Sequence, residues 1–430
     1  PYKSYSTFGG NPYFVDLEKL FQDGLITEEE LNSSKQQTPY SCEFDRLREE
    51  RVKLLINASK RACSELKEKI TSFINGNKYL KDFCCFMALK EKNNQKEWTL
   101  WEDASFDKDV EFGWQFIQYE FFTQWAEIKK YANEKGIGII GDIPIYVSFD
   151  SSDVYWSRKL FMLDDNNRMT DVAGVPPDYF AEDGQLWGNP LYDWDEMEKD
   201  GFSWWKDRIS LALSLFDGVR IDHFRAFESF WAVKGDAKTA KEGKWVKGPG
   251  MKLINALKSV SGDKLIIAED LGDIFDSVKK LLSDSGFPGM KVLEFGFDTR
   301  DDNSSEYLPY KYPVNCIAYV GTHDNDTAMG WMDTANPEDI ALAKEYLCLN
   351  EEEGYNWGLM RAAWASVADM CIIPMQDLLE LDSDARLNTP SSLGINWQWR
   401  ATEEQISKDL AKKLYKYADL YGRLNTTPVK

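Results

Sequence analysis

The chain of 430 residues carries 51 Lys and Arg against 72 Asp and Glu, a formal net charge of −21. That balance excludes a surface built as a basic stripe for nucleic-acid phosphate or anionic lipid. With 43% hydrophobic and 29% charged residues the chain can bury a large core and is not disordered, and its length fits two or three domains of about 150 residues or one large α/β barrel with insertions. No apolar run approaches the ~20 residues that span a bilayer. The opening PYKSYSTFGGNPYF does not read as a signal peptide, having no apolar stretch behind a basic start.

In chain order, the first hundred or so residues read as mainly helical. Asn11-Pro12 opens a segment in which Thr27 and Glu30 supply a T-x-x-E capping box ahead of a short helix. From about Phe44 to Ile74 apolar residues recur at three-four spacing with charges between them, which predicts one amphipathic helix. Its charged face around Arg46–Lys69 is expected to be solvated. A long helix is predicted from about Val110 to Lys135, stopped by Gly136.

Beyond Gly136 the rhythm changes to short apolar runs, each ending in a carboxylate or polar residue and followed by a helical stretch. The runs cover 137–147, 216–224, 264–271, 290–297, 316–324 and 370–378. Continuous β-branched runs between helices predict buried parallel strands in βα units. Polar residues at their C-terminal ends are what a TIM-type barrel supplies to its active face. The expected fold class is α/β, a (β/α)8 barrel with mostly helical insertion subdomains. Residues 149–204 carry Pro176-Pro177 and several Trp, and are too long for a βα loop. They are expected to form a folded lid over the barrel mouth.

The expected division is a helical insertion over 1–110, a barrel helix and strand over 111–148, the lid over 149–204 and the rest of the barrel over 205–430. Only six barrel strands can be counted, where closure wants eight. The chain is therefore expected to lack the first two, to build an open arc, and to be preceded in its native form by roughly 50–80 further residues.

Seven cysteines without CxxC spacing predict reduced thiols in a cytoplasmic protein rather than disulfides or a structural zinc. Cys84, Cys85 and Cys371 lie in apolar surroundings that read as core. With only His223 and His323 present, a His-rich metal site is impossible. The acidic run 163–171 lacks the glycine of an EF-hand turn and is expected to be a solvated turn. GFPGM and GKWVKGPG lack the Lys-Ser/Thr of a phosphate loop. Neither a metal nor an organic cofactor is expected. Sixteen Trp, 20 Tyr and 24 Phe exceed the needs of a core of this size, and many sit in polar contexts such as QLWGNPLYDWD and GINWQWR. They predict flat apolar platforms for stacking a ligand such as a sugar ring.

Three strand ends carry acids in distinctive contexts: Asp222 in GVRIDHFRAF, Glu269 in IIAEDLG and Asp324 in VGTHDNDT. Side chains alternate along a strand, so Arg220 and Asp222 share one side. A guanidinium beside a carboxylate favours the ionised form that a nucleophilic or charge-stabilising Asp requires. Glu269, on the next strand and with no comparable cation written beside it, can hold a proton and act as general acid. Two carboxyls in opposed environments are the basic requirement for cleaving a glycosidic bond. A lone strand-end acid is more often salt-bridged or capping. Three of them, two beside the only histidines, weigh against that reading here.

These motifs resemble the amylomaltase family of 4-α-glucanotransferases, relatives of the α-amylase barrels. So do the opening PYKSYSTFGGNPYFVDL, the segment IGIIGDIPIYV, the loop GVPPDYFAEDGQLWGNPLYDW, the stretch GKWVKGPG and the late NTP…NWQWR. The likeness runs from Tyr2 to about Arg400. It implies Asp222 as nucleophile, Glu269 as acid/base and Asp324 as the carboxylate that stabilises the transition state. It implies Arg220, His223, His323 and Asp142 as sugar-contacting or orienting groups. Gln185 and Trp187 would line the donor and acceptor subsites, and Tyr2 would stack on sugar. Maltooligosaccharides and α-1,4-glucans are the implied substrates, exchanged by a retaining double displacement, with no nucleic-acid or membrane partner. Family members begin some tens of residues earlier, in agreement with the strand count. An α-glucan hydrolase using the same carboxylates, and a truncated non-catalytic glucan-binding remnant, are the alternatives.

Overall fold

The computed structural model describes residues 2–177, 182–272 and 274–424. Two compact units divide it, the first built on residues 2–35 and 45–286, the second on 36–44 and on the chain from Phe287 onward.

The first unit opens as predicted. Thr27 accepts the Glu30 N–H at 3.2 Å while Glu30 accepts the Thr27 N–H at 2.8 Å, closing the capping box of the helix Glu28–Ser33. The single helix expected from Phe44 to Ile74 is instead two, Phe44–Ser59 and Ser64–Asn75. Arg61, in the turn between them, donates to both Glu30 oxygens at 2.7 and 2.8 Å and to the Leu25 carbonyl at 2.9 Å. A tertiary contact breaks the helix where no Gly or Pro announces it, and the apolar spacing survives on both sides. The long helix Lys108–Glu134 stands where it was predicted, ended by Gly136 at φ +75°. Its buried Gln118 both accepts the Gly10 N–H and donates to the Gly10 carbonyl, pinning the opening segment to the helix.

Ten strands are described: β1 (Ile140–Ile143), β2 (Asp171–Val175), β3 (Gln185–Pro190), β4 (Gly218–Ile221), β5 (Ser229–Lys234), β6 (Gly243–Lys247), β7 (Leu265–Ala268), β8 (Gly289–Val292), β9 (Cys316–Tyr319) and β10 (Met370–Ile372). The six runs predicted as parallel strands are β1, β4, β7, β8, β9 and β10. In the first unit β1, β4 and β7 form a parallel sheet in that order, with Asp142 opposite Arg220 and Arg220 opposite Ile267. Gly141 has to be glycine, because a Cβ there would lie 2.2 Å from the Phe216 ring. In the second unit β8, β9 and β10 form another parallel sheet, with β9 central. Residues 17–110 are helical and contribute no strand among the described residues.

The long insertion carries an unpredicted sheet. β2 and β3 pair antiparallel, and β2 pairs on its other edge with β5, which pairs with β6. Half of this sheet therefore comes from beyond residue 204. The loop motif 174–194 is described except for 178–181, which lie outside the described residues.

Part of the aromatic content is structural, while Trp187, Trp194, Trp397 and Trp399 of the polar-context motifs stay partly exposed. Trp98, Trp114, Trp204, Trp205, Trp357 and Trp364 are buried, and so is Tyr192 of the polar-looking QLWGNPLYDWD. The Tyr192 hydroxyl donates to the Ile145 carbonyl at 2.7 Å, and the buried Arg208 guanidinium lies 4.7 Å from the Trp205 ring. The Trp98 indole N–H donates to the Phe149 carbonyl at 2.8 Å, whereas those of Trp114, Trp204 and Trp205 are buried without a partner, so ring packing rather than polar satisfaction sets where these side chains lie.

All seven cysteines are free thiols, but only Cys84 of the three assigned to the core is fully buried, Cys85 and Cys371 being partly exposed. The acidic run 163–171 is a turn in which Asp164 accepts the N–H groups of Asn166 and Arg168 and pairs with the Arg168 guanidinium at 2.8 Å. No helix among the described residues is long and apolar enough to cross a membrane, and no group of three His, Cys, Asp or Glu among them is placed to hold a metal ion.

In the second unit the core gathers Leu293, Phe297, Val320, Trp357, Leu359 and Met360, and the helix Lys408–Leu420 packs Leu410, Leu414 and Tyr417 against it. The arm 36–44 is tied to the late stretch 398–400, with Cys42 N–H on the Gln398 carbonyl at 2.7 Å and Arg400 N–H on the Tyr40 carbonyl at 2.9 Å.

Candidate active site

Arg220 is the hub of the first unit's site. Residues opposite one another on adjacent parallel strands project to the same face, so Asp142 and Arg220 leave the sheet side by side. Arg220 Nη1 donates to both Asp142 oxygens at 2.9 Å, and Nη2 meets Asp222 Oδ1 at 3.0 Å. The Tyr2 hydroxyl donates to Asp142 Oδ2 at 3.1 Å. Burial works against the guanidinium charge, but Asp142, Asp222 and Glu269 outweigh it and raise the arginine further above its ordinary range.

Asp222 and Glu269 are the first residues beyond β4 and β7. The Asp222 N–H donates to the Ile143 carbonyl at 3.0 Å and the Glu269 N–H to the Ile221 carbonyl at 3.1 Å, so each prolongs its ladder by one rung. Their surroundings differ. The Asp222 side chain is 27% exposed and faces the guanidinium. Glu269 is 8% exposed. Burial, and then the charge of Asp222, push its carboxyl up to about 7, against the lowering effect of Arg220 and of two peptide N–H groups. Those N–H groups belong to Leu271, on Oε1, and His223, on Oε2, both at 2.7 Å.

His223 adopts a left-handed backbone at φ +51°, an uncommon conformation for a residue with a side chain. This turn carries the chain out of β4 with the peptide N–H on Glu269. The imidazole is half-buried, and desolvation, helped by the charge of Arg225, lowers its pKa to about 3, so the ring is neutral at neutral pH. The Trp187 ring meets His223 edge to face at 4.7 Å, and its indole N–H donates to Gln185 Oε1 at 3.1 Å. Both residues come from β3, which brings the unpredicted sheet to the ends of the parallel strands. Eight of the ten predicted site residues are thus assembled in one unit: Tyr2, Asp142, Gln185, Trp187, Arg220, Asp222, His223 and Glu269.

His323 and Asp324 belong to the second unit, in the loop after β9. Asp324 Oδ2 lies 3.3 Å from His323 Nε2, while Oδ1 accepts from Asn388 Nδ2 at 2.6 Å. Arg386 Nη2 donates to the Asp324 carbonyl at 2.6 Å, and the His323 ring lies 5.4 Å from Trp397. Asn388 and Arg386 were missed as site residues. The NTP motif that contains Asn388 carried a family likeness but no chemistry of its own, because an amide shows its purpose only once its partner is known.

Chemically, the first unit sets a carboxylate held by an arginine beside a buried carboxyl able to keep its proton near neutrality. That pairing suits nucleophilic attack with acid assistance on an acetal carbon.

Comparison with known proteins shows the family of the chain. The family model described as 4-alpha-glucanotransferase matches residues 1–406. The chain is 46% identical to the 4-alpha-glucanotransferase of Clostridium butyricum, the match covering 98% of this chain and 90% of that protein. It is 39% identical to the 4-alpha-glucanotransferase of Thermus thermophilus, covering 99% and 89%. Among solved structures, the amylomaltase from Streptococcus agalactiae in complex with acarbose superposes with a TM-score of 0.94 at 38% identity, covering 99% of this chain and 89% of that one.

Proposed function

Because the chain belongs to the 4-alpha-glucanotransferase family, we propose that Asp222, Glu269 and Asp324 carry its glucan transfer by double displacement. Its activity is that of a 4-alpha-glucanotransferase, on an α/β-barrel fold. Asp222 attacks the anomeric carbon as Glu269 protonates the departing oxygen, leaving a glycosyl-enzyme. A sugar hydroxyl, deprotonated by Glu269 now acting as base, then attacks and restores the α configuration. Arg220, fixed by Asp142, orients Asp222. His323 and Asp324 bond hydroxyls of the distorted sugar, interactions that matter most in the transition state. Tyr2, Gln185, Trp187 and His223 meet neighbouring sugars. The β2–β3 insertion serves as the lid that excludes water, which transfer needs if it is to outrun hydrolysis.

The observation that carries this reading is the contrast between Asp222 on its arginine and the buried, proton-holding Glu269 one strand away. Maltooligosaccharides and α-1,4-glucans are the proposed donors and acceptors. The seven free thiols support a reducing, cytoplasmic setting.

Maltotriose alone is expected to yield glucose and a ladder of longer oligosaccharides, read by thin-layer chromatography or mass spectrometry. Glucose and maltose with nothing longer than the input would turn the assignment to a hydrolase. A second test is pH. A general acid at Glu269 works protonated, so activity should be full below its pKa and lost above it. The basic limb of kcat/KM is expected at about 7, the pKa of that carboxyl. A profile still flat at ~pH 9 would remove Glu269 as the proton donor.

A further inference from the structure

We propose that Asn388 is a positioning residue for Asp324, the anchor of a cradle formed by Ser383–Asn388 that aims this carboxylate; the proposal rests on the reading of Asp324 as a transition-state stabiliser. After β9 ends at Tyr319, the chain reaches Asp324 on a loop, without the ladder that holds Asp222 and Glu269. The loop sets its own backbone. The Thr322 N–H and hydroxyl both donate to Asn325 Oδ1, and the Asp324 N–H donates to Thr322 Oγ1 at 3.2 Å.

A second segment then grips the same loop at four points. The Ser383 hydroxyl donates to Asp326 Oδ2 at 2.7 Å, and Arg386 donates to the Asp324 carbonyl at 2.6 Å. The Asn388 N–H donates to the His323 carbonyl at 3.1 Å, and its side-chain amide donates to Asp324 Oδ1 at 2.6 Å. Three of these bonds hold the loop's position; only the last takes hold of the carboxylate itself.

Asn388 is itself fixed from both sides. Arg386 Nε donates to its carbonyl at 2.9 Å. Just beyond it, the Thr389 N–H is held by Asn396 Oδ1 at 2.9 Å, and the Trp397 N–H by the Leu387 carbonyl at 2.6 Å. The identity of the residue matters as well as its place. A lysine here would hold Asp324 in an ion pair and take up its charge. A neutral amide donates one hydrogen bond, fixes one oxygen and leaves the negative charge available to a reacting sugar. Asp324 Oδ2 is left on the His323 side. Catalytic carboxylates gain most from being held this way, because small misalignments cost large factors in rate.

The test is kinetic. Asn388→Asp puts a second carboxylate where the amide sat, so the two acids share a proton to higher pH. The other titratable or charged groups facing this loop, His323, Arg386, Asp326, Glu294 and Asp377, are the same in all variants. On maltotriose at pH 6, kcat of Asn388→Asp is expected to fall ~30-fold or more with KM within ~3-fold, and the acid limb of kcat should move upward by about one pH unit. Asn388→Ala should lose ~10-fold in kcat with the acid limb unmoved, and serves alone if the aspartate variant does not fold. Both should melt within a few degrees of the parent. If kcat and the acid limb stay at parental values in the variants that fold, the positioning role is overturned. Asp324→Asn separates the two levels. Its inactivity alongside unaffected Asn388 variants sinks the positioning role alone, while near-parental activity of Asp324→Asn sinks the reading of Asp324 beneath it.

Discussion

Asp222→Ala is expected to lower kcat on maltotriose by ~10⁴-fold or more, because no other group of the first unit's site stands ready to form the glycosyl-enzyme. Arg220 keeps its two bonds to Asp142 in this variant, and the β1–β4–β7 ladder does not involve the lost carboxylate. Loss of fold is therefore not the expected cause, and the melting temperature should stay near that of the parent. Steady-state rates with a binding control separate the two. A variant that kept ~1% of parental turnover would show that the nucleophile lies elsewhere.

Glu269→Gln should cost ~10³-fold or more on maltotriose, for a different reason. The nucleophile survives while the proton donor is lost, so a substrate whose leaving group needs no acid, such as α-glucosyl fluoride, should still form the intermediate. Turnover of that intermediate needs the base, which is also gone. The expected result is a burst of fluoride followed by a stall, with a hexosyl adduct on Asp222 seen by intact mass. The swap is not electrostatically innocent. Both carboxylate oxygens accept peptide N–H groups, so the new NH2 must face one of them, a donor against a donor. A loss of stability of about 1–3 kcal/mol is expected from that clash. Parental turnover on maltotriose would dismiss the acid/base assignment.

What could be read in the sequence was set by local pattern. The six parallel strands are continuous apolar runs capped by polar residues, and such runs are visible without knowing what they pair with. The Arg220–Asp222 ion pair follows from alternation along one strand, and Asp142 joins it through register on the next. What escaped depends on partners distant in sequence. β5 and β6 are short strands whose pairing with β2 and with each other is decided by neighbours far off in the chain. The break at Lys60–Cys63 is made by Arg61 reaching Glu30. The burial of Trp98, Trp114, Trp204, Trp205, Trp357 and Trp364 is set by neighbours in space rather than in sequence. Asn388 was hidden for the same reason: its partner is 64 residues away.

The threading of the antiparallel sheet bears on how the molecule is made. β2 and β3 leave the ribosome first and can close as a hairpin, yet the far edge of β2 waits for β5, and so for Lys234 to emerge. Between them lie β4 and Asp222, and β4 in turn waits for β7, which ends at Ala268. Distant pairings of this kind carry a loop-closure entropy that slows folding. A nascent chain interrupted between β3 and β5 would present the open edge of β2 to any other strand nearby, the usual beginning of misassembly. Translation pauses placed before Lys234 should therefore lower the yield of folded enzyme more than pauses placed after Ala268.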